Sequence, residues 1–246
     1  MSIPKVIHYC WFGKNEKSEL IKKCMESWQR VLPDYKIIEW NEDNFDVKEN
    51  QYTREAYENR KWAFVSDYVR LYVLYNYGGL YFDTDVEILK PLDVFLKHEF
   101  FTGFESKDSP MTAVMGAKKG NVLIKEFLDD YSERVFVKKN GDFDLTPNTQ
   151  VITKMMSEKG LKRNGRKQWI INEGFVIYPQ IYFCPNCLSM IWDRPSSKSY
   201  SIHHFDGSWV DNNSKYNNQL KWKLRHYLVG KLRNSIGTDT LNKLKK

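Results

Sequence analysis

The chain has 246 residues, of which 41% are hydrophobic and 28% are charged, and its net charge is +7. This length suits one α/β domain with a sizeable core. No apolar run approaches the roughly 20 residues that cross a bilayer, and the amino-terminal stretch lacks the apolar segment of a signal peptide. Cysteines at positions 10, 24, 184 and 187 fit a reducing compartment. We therefore expect a soluble, cytoplasmic domain.

The hydrophobic pattern predicts a β-α-β opening: strands over residues 5–11 and 35–40, with a helix between them that ends at Pro33. This order is typical of a nucleotide-binding half. A long helix follows over residues 53–77, apolar almost all round, and Gly78-Gly79 ends it. Later residues predict a helix capped by Asn121 and further strands over 100–105, 111–117 and 200–204.

Two carboxylates, Asp83 and Asp85, interrupt an apolar β-forming run just after the glycine pair. If the run from 80 to 88 is extended, both side chains point to the same face. Two ionised groups this close repel each other unless a cation lies between them, and oxygen ligands suit Mg²⁺ or Mn²⁺. Such cations also bind phosphate oxygens, which indicates a phosphorylated ligand. The alternative is a solvated strand end.

The long helix carries Ser66, Asp67 and Arg70 together on one side. A buried Asp and Arg three residues apart need partners. Either they satisfy each other, or Arg70 orders the acidic strand while Asp67 accepts a hydrogen bond from a sugar hydroxyl.

The combined pattern closely resembles the DXD sugar transferases of glycosyltransferase family 32, the capsular polysaccharide and Och1-like enzymes. It reads Ser66-Asp67-x-x-Arg70, then Gly78-Gly79-x-Tyr81-x-Asp83-x-Asp85. The large clostridial glucosylating toxins carry a related catalytic core. Residues 3–13 and the segment from His203 to Trp209 share the resemblance, whereas Thr146-Pro147 lacks the glycine that family members often have there.

The resemblance implies a GT-A-type α/β fold, with a mixed central sheet flanked by helices, and a nucleoside diphosphate sugar donor. Trp11 would stack on the base, Asn41 would contact the base or ribose, and Ser208 and Trp209 would close over the diphosphate. The expected donor-binding residues are Trp11, Asn41, Ser66, Asp67, Arg70, Gly79, Tyr81, Asp83, Ser208 and Trp209. The expected catalytic residues are Asp67, Arg70, Asp83 and Asp85.

A histidine pair, His203 and His204, closes the last predicted strand. Such a pair alone is more often structural, but the resemblance favours one of them as a ligand to the cation held by Asp83 and Asp85. Adjacent strand residues point to opposite faces, so we expect His203 to be the ligand, with His204 as the competitor. Imidazole suits Mn²⁺ better than Mg²⁺, so Mn²⁺ is the expected cofactor and Mg²⁺ stays possible.

Basic residues concentrate in two places. Residues 160–167 form a basic loop, either a solvated surface or a contact for an anionic acceptor. From Leu220 onwards the tail carries the whole net charge of +7 on an amphipathic helical pattern. This tail either lies on an anionic membrane surface or docks on the domain. No zinc-finger, RNP or recognition-helix signature accompanies it, so no nucleic-acid partner is expected.

These observations predict a glycosyltransferase domain over residues 1–218 and a basic amphipathic helical tail over 219–246. The expected reaction moves a hexose from a nucleoside diphosphate sugar, a UDP-sugar above all, to a glycan or lipid-linked acceptor in capsular or surface polysaccharide synthesis. The resemblance implies retention of configuration. The alternatives are a nucleotide-sugar hydrolase and a non-catalytic carbohydrate- or membrane-binding module. We expect a cytoplasmic location with peripheral contact to the inner face of the membrane.

Overall fold

The structure is a computed structural model that describes residues 2–106, 108–185 and 195–206 and the single position 235. Its strands are β1 (Val6–Cys10), β2 (Lys36–Trp40), β3 (Gly79–Phe82), β4 (Val86–Ile88), β5 (Phe100–Phe104), β6 (Pro110–Ala117), β7 (Gln168–Trp169), β8 (Phe175–Tyr178) and β9 (Ser201–His203). Its helices are α1 (Glu19–Val31), α2 (Gln51–Glu58), α3 (Trp62–Tyr77), α4 (Val122–Asp129), α5 (Asn148–Glu158) and α6 (Gln180–Phe183). Short 3-10 helices cover Asp93–Phe95 and Asp130–Ser132.

Seven strands form one mixed sheet in the order β2-β1-β3-β6-β5-β8-β7. The neighbours β1 and β2, β1 and β3, and β5 and β8 are parallel, whereas β6 and β7 run against their neighbours. Strands β1, β2, β3, β5 and β8 therefore all end at the same edge of the sheet. Ligands of open α/β sheets bind at this edge. A separate two-stranded sheet pairs β4 with β9.

Helices cover both faces of the large sheet. Along β3, Tyr81 belongs to the core cluster that includes α3 and α4, whereas Leu80 and Phe82 belong to the cluster that includes Trp28 of α1. This alternation follows from the two-residue period of a strand. The prediction of an α/β fold with a mixed central sheet flanked by helices is confirmed.

The long helix predicted over residues 53–77 is wrong in one respect, because the structure breaks it into α2 and α3. Arg60 adopts a positive φ of 55°. The Lys61 N–H donates to the Ala56 carbonyl at 2.8 Å, and the Arg60 N–H donates to the Tyr57 carbonyl at 2.9 Å. These two bonds form the Schellman motif that ends many helices, here built without the usual glycine.

The continuous acidic strand is also wrong. Strand β3 ends at Phe82, and the Val86 N–H donates to the Asp83 carbonyl at 3.1 Å, which closes a turn between the two aspartates. The Asp83 N–H still pairs with the Ala113 carbonyl of β6 at 2.9 Å. The turn lets the chain leave the large sheet and pair with β9, so both aspartates lie at a junction between two sheets.

No helix within the described ranges is long and apolar enough to cross a membrane. The predicted tail over residues 219–246 lies outside the described residues, apart from position 235. The division into a domain and a tail therefore stays a prediction.

Candidate active site

Arg70 on α3 links two of the predicted carboxylates. Its Nη2 atom lies 3.0 Å from Oδ1 of Asp67 and 3.2 Å from Oδ1 of Asp83. The guanidinium carbon lies 4.8 Å from the ring centroid of Tyr81, so the guanidinium and the ring form a cation–π contact. The other terminal nitrogen, Nη1, is buried and has no hydrogen-bond partner among the described residues. This spare donor suits an oxygen atom of a bound ligand.

The carboxyl group of Asp67 has an unusual charge balance. Burial raises its pKa, Asp83 raises it further, and Arg70 opposes the rise, so that the pKa reaches about 6. The Asp67 backbone carbonyl accepts a hydrogen bond from Nδ2 of Asn148 at 3.1 Å. Asp67 and Arg70 thus satisfy each other in part, and Asp67 still has an oxygen available to accept a ligand hydroxyl.

Asp83, Asp85 and His203 form the cluster predicted for a metal ion. One ligand atom from each of the three lies within 4.8 Å of the others. The pairing of β4 with β9 sets this arrangement, because Val86 stands opposite His203 and Asp85 directly precedes it. Nε2 of His203 lies 3.3 Å from Oδ1 of Asp85, and the Asp206 N–H donates to Oδ2 of Asp85 at 2.8 Å.

His203 and Asp85 shift each other's pKa in opposite directions. Burial lowers the pKa of His203, but the charge and hydrogen bond of Asp85, together with Asp83 and Glu105, outweigh it and raise that pKa to about 9. Burial raises the pKa of Asp85, but His203 and the Asp206 N–H outweigh it and lower that pKa to about 2. Two carboxylates therefore face one imidazole that carries a positive charge at neutral pH. Without a metal ion this imidazolium supplies the positive charge between the carboxylates, and a metal ion bound there would displace its proton, because a ligating histidine is neutral.

The donor set fits a divalent metal ion. Two carboxylates and an imidazole accept Mn²⁺ readily and Mg²⁺ less so. Nδ1 of His203 is buried without a partner among the described residues. The other histidine, His204, places Nε2 at 2.9 Å from Oε2 of Glu87 and so is paired away from the aspartates. The geometry therefore selects His203, the residue favoured by the sequence, as the third group of the cluster.

A polar cluster follows the ends of β1 and β2. Glu39 accepts hydrogen bonds from the Tyr9 hydroxyl at 2.5 Å, from Lys17 at 2.9 Å and from the Asn41 side-chain amide at 2.9 Å. Nζ of Lys17 lies 5.1 Å from the ring centroid of Trp11. The structure thus brings Trp11 and Asn41, the two predicted base and ribose contacts, to one position at the carboxyl edge of the sheet.

The remaining predicted residues are Ser66, Tyr81, Gly79, Ser208 and Trp209. The Ser66 hydroxyl donates to the Trp62 carbonyl at 3.1 Å within α3, one turn from Arg70. Tyr81 is buried beneath Arg70. Gly79 begins β3 at the opposite end from Asp83, and a Cβ there would meet the Val6 carbonyl at 2.6 Å, so close packing on β1 accounts for it. Ser208 and Trp209 lie outside the described residues.

Sequence reasoning missed Lys17 and Glu39. The sequence signal for Glu39 was an acid near the end of an otherwise apolar strand. The structure places Glu39 opposite Tyr9 in the parallel pair of β1 and β2. The sequence offered no reason to assign a sugar contact to Asn148, because the chain lacks the glycine that family members often have at this point. Asn148 is 3% exposed, and its Oδ1 has no partner among the described residues. Its position one residue after Pro147, at the start of α5, gave no sign that it would reach Asp67.

A carboxylate pair beside the Asp67–Arg70 pair, at the carboxyl edge of a sheet with a β-α-β opening, suits a phosphorylated ligand held through a cation. Residues 18–102 match the family described as "Glycosyltransferase sugar-binding region containing DXD motif". The resemblance to DXD sugar transferases is confirmed over these residues, which make up about a third of the chain.

Two curated relatives have names of the same class. One is inositol phosphoceramide mannosyltransferase 3 of Schizosaccharomyces pombe, 30% identical over 127 residues, which are 50% of this chain and 35% of the relative. The other is mannosyl phosphorylinositol ceramide synthase SUR1 of Saccharomyces cerevisiae, 31% identical over 116 residues, which are 44% of this chain and 28% of the relative. The matched part thus spans about a third of their length.

Two solved structures with glycosyltransferase titles align with about two thirds of the chain. The PaToxG glycosyltransferase has a TM-score of 0.48 and 20% identity, covering 65% of this chain and 70% of that chain. The glycosyltransferase domain of the YGT toxin has a TM-score of 0.43 and 12% identity, covering 66% of this chain and 69% of that chain.

Proposed function

We propose that the protein is a metal-dependent hexosyltransferase of the GT-A type, which moves a sugar from a nucleoside diphosphate donor to an acceptor hydroxyl. One observation carries the proposal: Arg70 joins Asp67 to Asp83, while Asp83, Asp85 and His203 converge within 4.8 Å of one another. The sugar-binding and metal-binding groups therefore share one carboxylate.

Each group has a part in this reaction. Asp83, Asp85 and His203 would hold the cation, Mn²⁺ first and Mg²⁺ second. When bound, the cation supplies positive charge to the departing diphosphate. Arg70 directs its spare Nη1 donor to the same developing charge, which is stabilisation by a preorganised group. Asp67 accepts a hydrogen bond from a sugar hydroxyl, and this fixes the orientation of the donor.

The nucleoside end of the donor would occupy the cluster after β1 and β2. Trp11 offers an aromatic face for the base, and Asn41 lies next to it for the ribose. Glu39 holds both Lys17 and Asn41 in place. Ser208 and Trp209 complete the donor site as a covering loop in this proposal.

The acceptor is proposed to be a glycan or a lipid-linked saccharide. The names of the two yeast relatives support a test of mannose as the sugar and of inositol phosphoceramide as the acceptor. Capsular or surface polysaccharide synthesis is the alternative setting, and retention of configuration is proposed for either. The basic tail over residues 219–246 is proposed to hold the protein at the inner face of the membrane.

The test measures free sugar and transferred sugar separately. The protein is incubated with Mn²⁺ and a panel of UDP- and GDP-hexoses, with and without saccharide and lipid acceptors. For a hexosyltransferase we expect sugar transfer that requires both the acceptor and the metal ion. Release of free sugar at the same rate with and without acceptor would identify a hydrolase instead. Donor binding without either product would identify a non-catalytic module.

A further inference from the structure

The basic loop over residues 160–167 leads into the edge strand β7, and three of its four basic side chains form no ion pair with the residues that the structure describes. Between residues 159 and 173 the chain has five basic residues and one acid, Glu173. Lys159 pairs with Glu126 at 2.6 Å, and Arg163 lies 3.4 Å from Asp108.

The other three basic residues, Lys162, Arg166 and Lys167, are exposed and form no ion pair within the described ranges.

This loop is held in a defined conformation. Nε2 of Gln168 donates to the Lys162 and Arg166 carbonyls at 2.8 and 3.1 Å, and Oε1 of Gln168 accepts from the Lys162 N–H at 2.7 Å. Nε of Arg163 donates to the Asp108 carbonyl at 2.9 Å, which ties the loop to the connection between β5 and β6. The free charges are therefore presented from a fixed backbone.

Large apolar side chains lie directly beside these charges. Trp169 is 53% exposed and Ile171 is 44% exposed, while Ile170 between them is buried. Nζ of Lys167 lies 5.4 Å from the ring centroid of Trp169. We define the basic edge surface as Lys162, Arg166, Lys167, Trp169 and Ile171.

The topology places the loop at the same edge of the sheet as the candidate active site. Strand β7 runs antiparallel to β8, so the loop before β7 meets the carboxyl end of β8. Strands β8 and β5 are parallel to each other and point the same way as β3, which leads to Asp83. Four strand spacings separate β3 from β7, or about 19 Å.

We propose that the basic edge surface docks on an anionic lipid bilayer. Exposed lysine and arginine attract acidic headgroups, and an adjacent tryptophan and isoleucine enter the headgroup region. All five side chains are exposed rather than enclosed, which suits a broad surface better than a small ligand. Docking in this way would bring the carboxyl edge of the sheet within about 20 Å of the headgroups. The inference is independent of the transfer reaction and of the tail.

The test is co-sedimentation of the full chain with vesicles of phosphatidylcholine alone or mixed with phosphatidylglycerol. The variant Lys162→Gln/Arg166→Gln/Lys167→Gln removes three charges. The matched control, Lys119→Gln/Lys138→Gln/Lys139→Gln, removes three exposed charges elsewhere. The loop variant should reduce partitioning onto acidic vesicles roughly 100-fold. Each lost charge weakens binding by about 1 kcal/mol, and about 1.4 kcal/mol corresponds to a tenfold change in affinity. The control should leave it within about threefold, a smaller shift than one such charge gives.

A second variant tests the apolar part. Trp169→Ala should weaken the binding that persists at high salt, where charge attraction is screened. Val122→Ala, at a site that is 59% exposed, serves as its control. Equal binding to neutral and acidic vesicles, or equal loss in the loop variant and its control, would overturn the proposal. Unchanged Mn²⁺ binding by the loop variant shows that the active site is intact, which separates this result from a failure of the proposed function.

Discussion

The Nη2 atom of Arg70 on α3 lies 3.2 Å from Oδ1 of Asp83, just beyond the end of β3, and 3.0 Å from Oδ1 of Asp67. One guanidinium therefore fixes the distance between the helix and the acidic turn. Its pKa is raised by both carboxylates although burial opposes the charge, so Arg70 stays charged.

A lysine at position 70 tests this bridge. Lysine keeps the charge, but its one ammonium nitrogen cannot replace both Nη2, which contacts the two carboxylates, and the buried donor Nη1. We expect Arg70→Lys to lower transfer by about 100-fold to 1000-fold, the usual cost of losing one preorganised donor. Arg70→Met should also lower the free energy of unfolding by about 3 to 5 kcal/mol, because it leaves buried carboxylates unpaired. Kinetic assays and urea unfolding measure the two effects, and full turnover by Arg70→Lys would contradict the assignment.

The two histidines give a direct test of the metal site. His203→Gln should weaken Mn²⁺ binding by about 10-fold to 100-fold or more, because it removes one of three converging ligands. His204→Gln should leave Mn²⁺ binding nearly unchanged, since His204 pairs with Glu87 instead. Isothermal titration with Mn²⁺, without any sugar donor, measures both. The reverse ranking would show that the wrong histidine has been assigned.

A matched carboxylate pair checks the same site from the other strand. Asp85→Asn should abolish measurable Mn²⁺ binding, because Asp85 contacts His203 and belongs to the converging cluster. Glu87→Gln, two residues further along, removes the same charge outside that cluster and should keep the binding. If both variants bind Mn²⁺ as the unaltered chain does, the cluster is a structural ion pair.

Local patterns account for much of this site. Asp67 and Arg70 were predictable because the helical period places them on one side, and Asp83 was predictable because it follows an apolar strand. The turn at Asp83 could not be predicted, because it depends on the pairing of β4 with β9, which lies more than a hundred residues later in the chain. Strand pairing over such distances leaves no local mark.

Backbone geometry limited the prediction elsewhere. The break between α2 and α3 depends on Arg60 in a left-handed conformation, which favours glycine and so gave no sequence signal. The short edge strand β7 has two residues and no alternating pattern. The helix capped by Asn121, in contrast, is confirmed, since its side chain accepts from the Leu123 and Ile124 N–H groups at 3.0 and 3.1 Å.

Two glycines with positive φ, Gly13 and Gly120, differ in the space around them and so test how the loop after β1 is held. Gly13 has a φ of 89°, and a Cβ there would lie 2.5 Å from the Trp62 ring. Gly120 has a similar φ of 70° but open space around it. Gly120→Ala should therefore lower the free energy of unfolding by about 1 to 2 kcal/mol from backbone strain alone.

Gly13→Ala adds a steric clash of about 1 to 3 kcal/mol to the same strain. It should also weaken donor binding, because the displaced loop carries Trp11. Chemical denaturation and donor titration separate the two effects. Equal destabilisation by both substitutions would mean that Trp62 moves freely and that the loop is not held against it.

The raised pKa of Asp67 predicts a pH-dependent cost to stability. An unfolded aspartate ionises near 3.8, whereas burial keeps the folded group neutral up to about 6. The stability that this group contributes is present below pH 3.8 and is lost as pH rises through 6. Between pH 4 and pH 7 the free energy of unfolding of the native chain should fall by about 2 kcal/mol relative to that of Asp67→Asn. The figure follows from the raised pKa at roughly 1.4 kcal/mol per pKa unit.

Urea unfolding of both proteins across this pH range measures the difference, and donor binding is followed in parallel. Binding by the native chain should strengthen as Asp67 ionises through pH 6, because the carboxylate accepts the sugar hydroxyl more strongly than the neutral acid does. Asp67→Asn should lose both the stability gradient and this rise in affinity. A variant that keeps the gradient would place its origin in another buried group, and Asp67 would then be ionised throughout by its contact with Arg70.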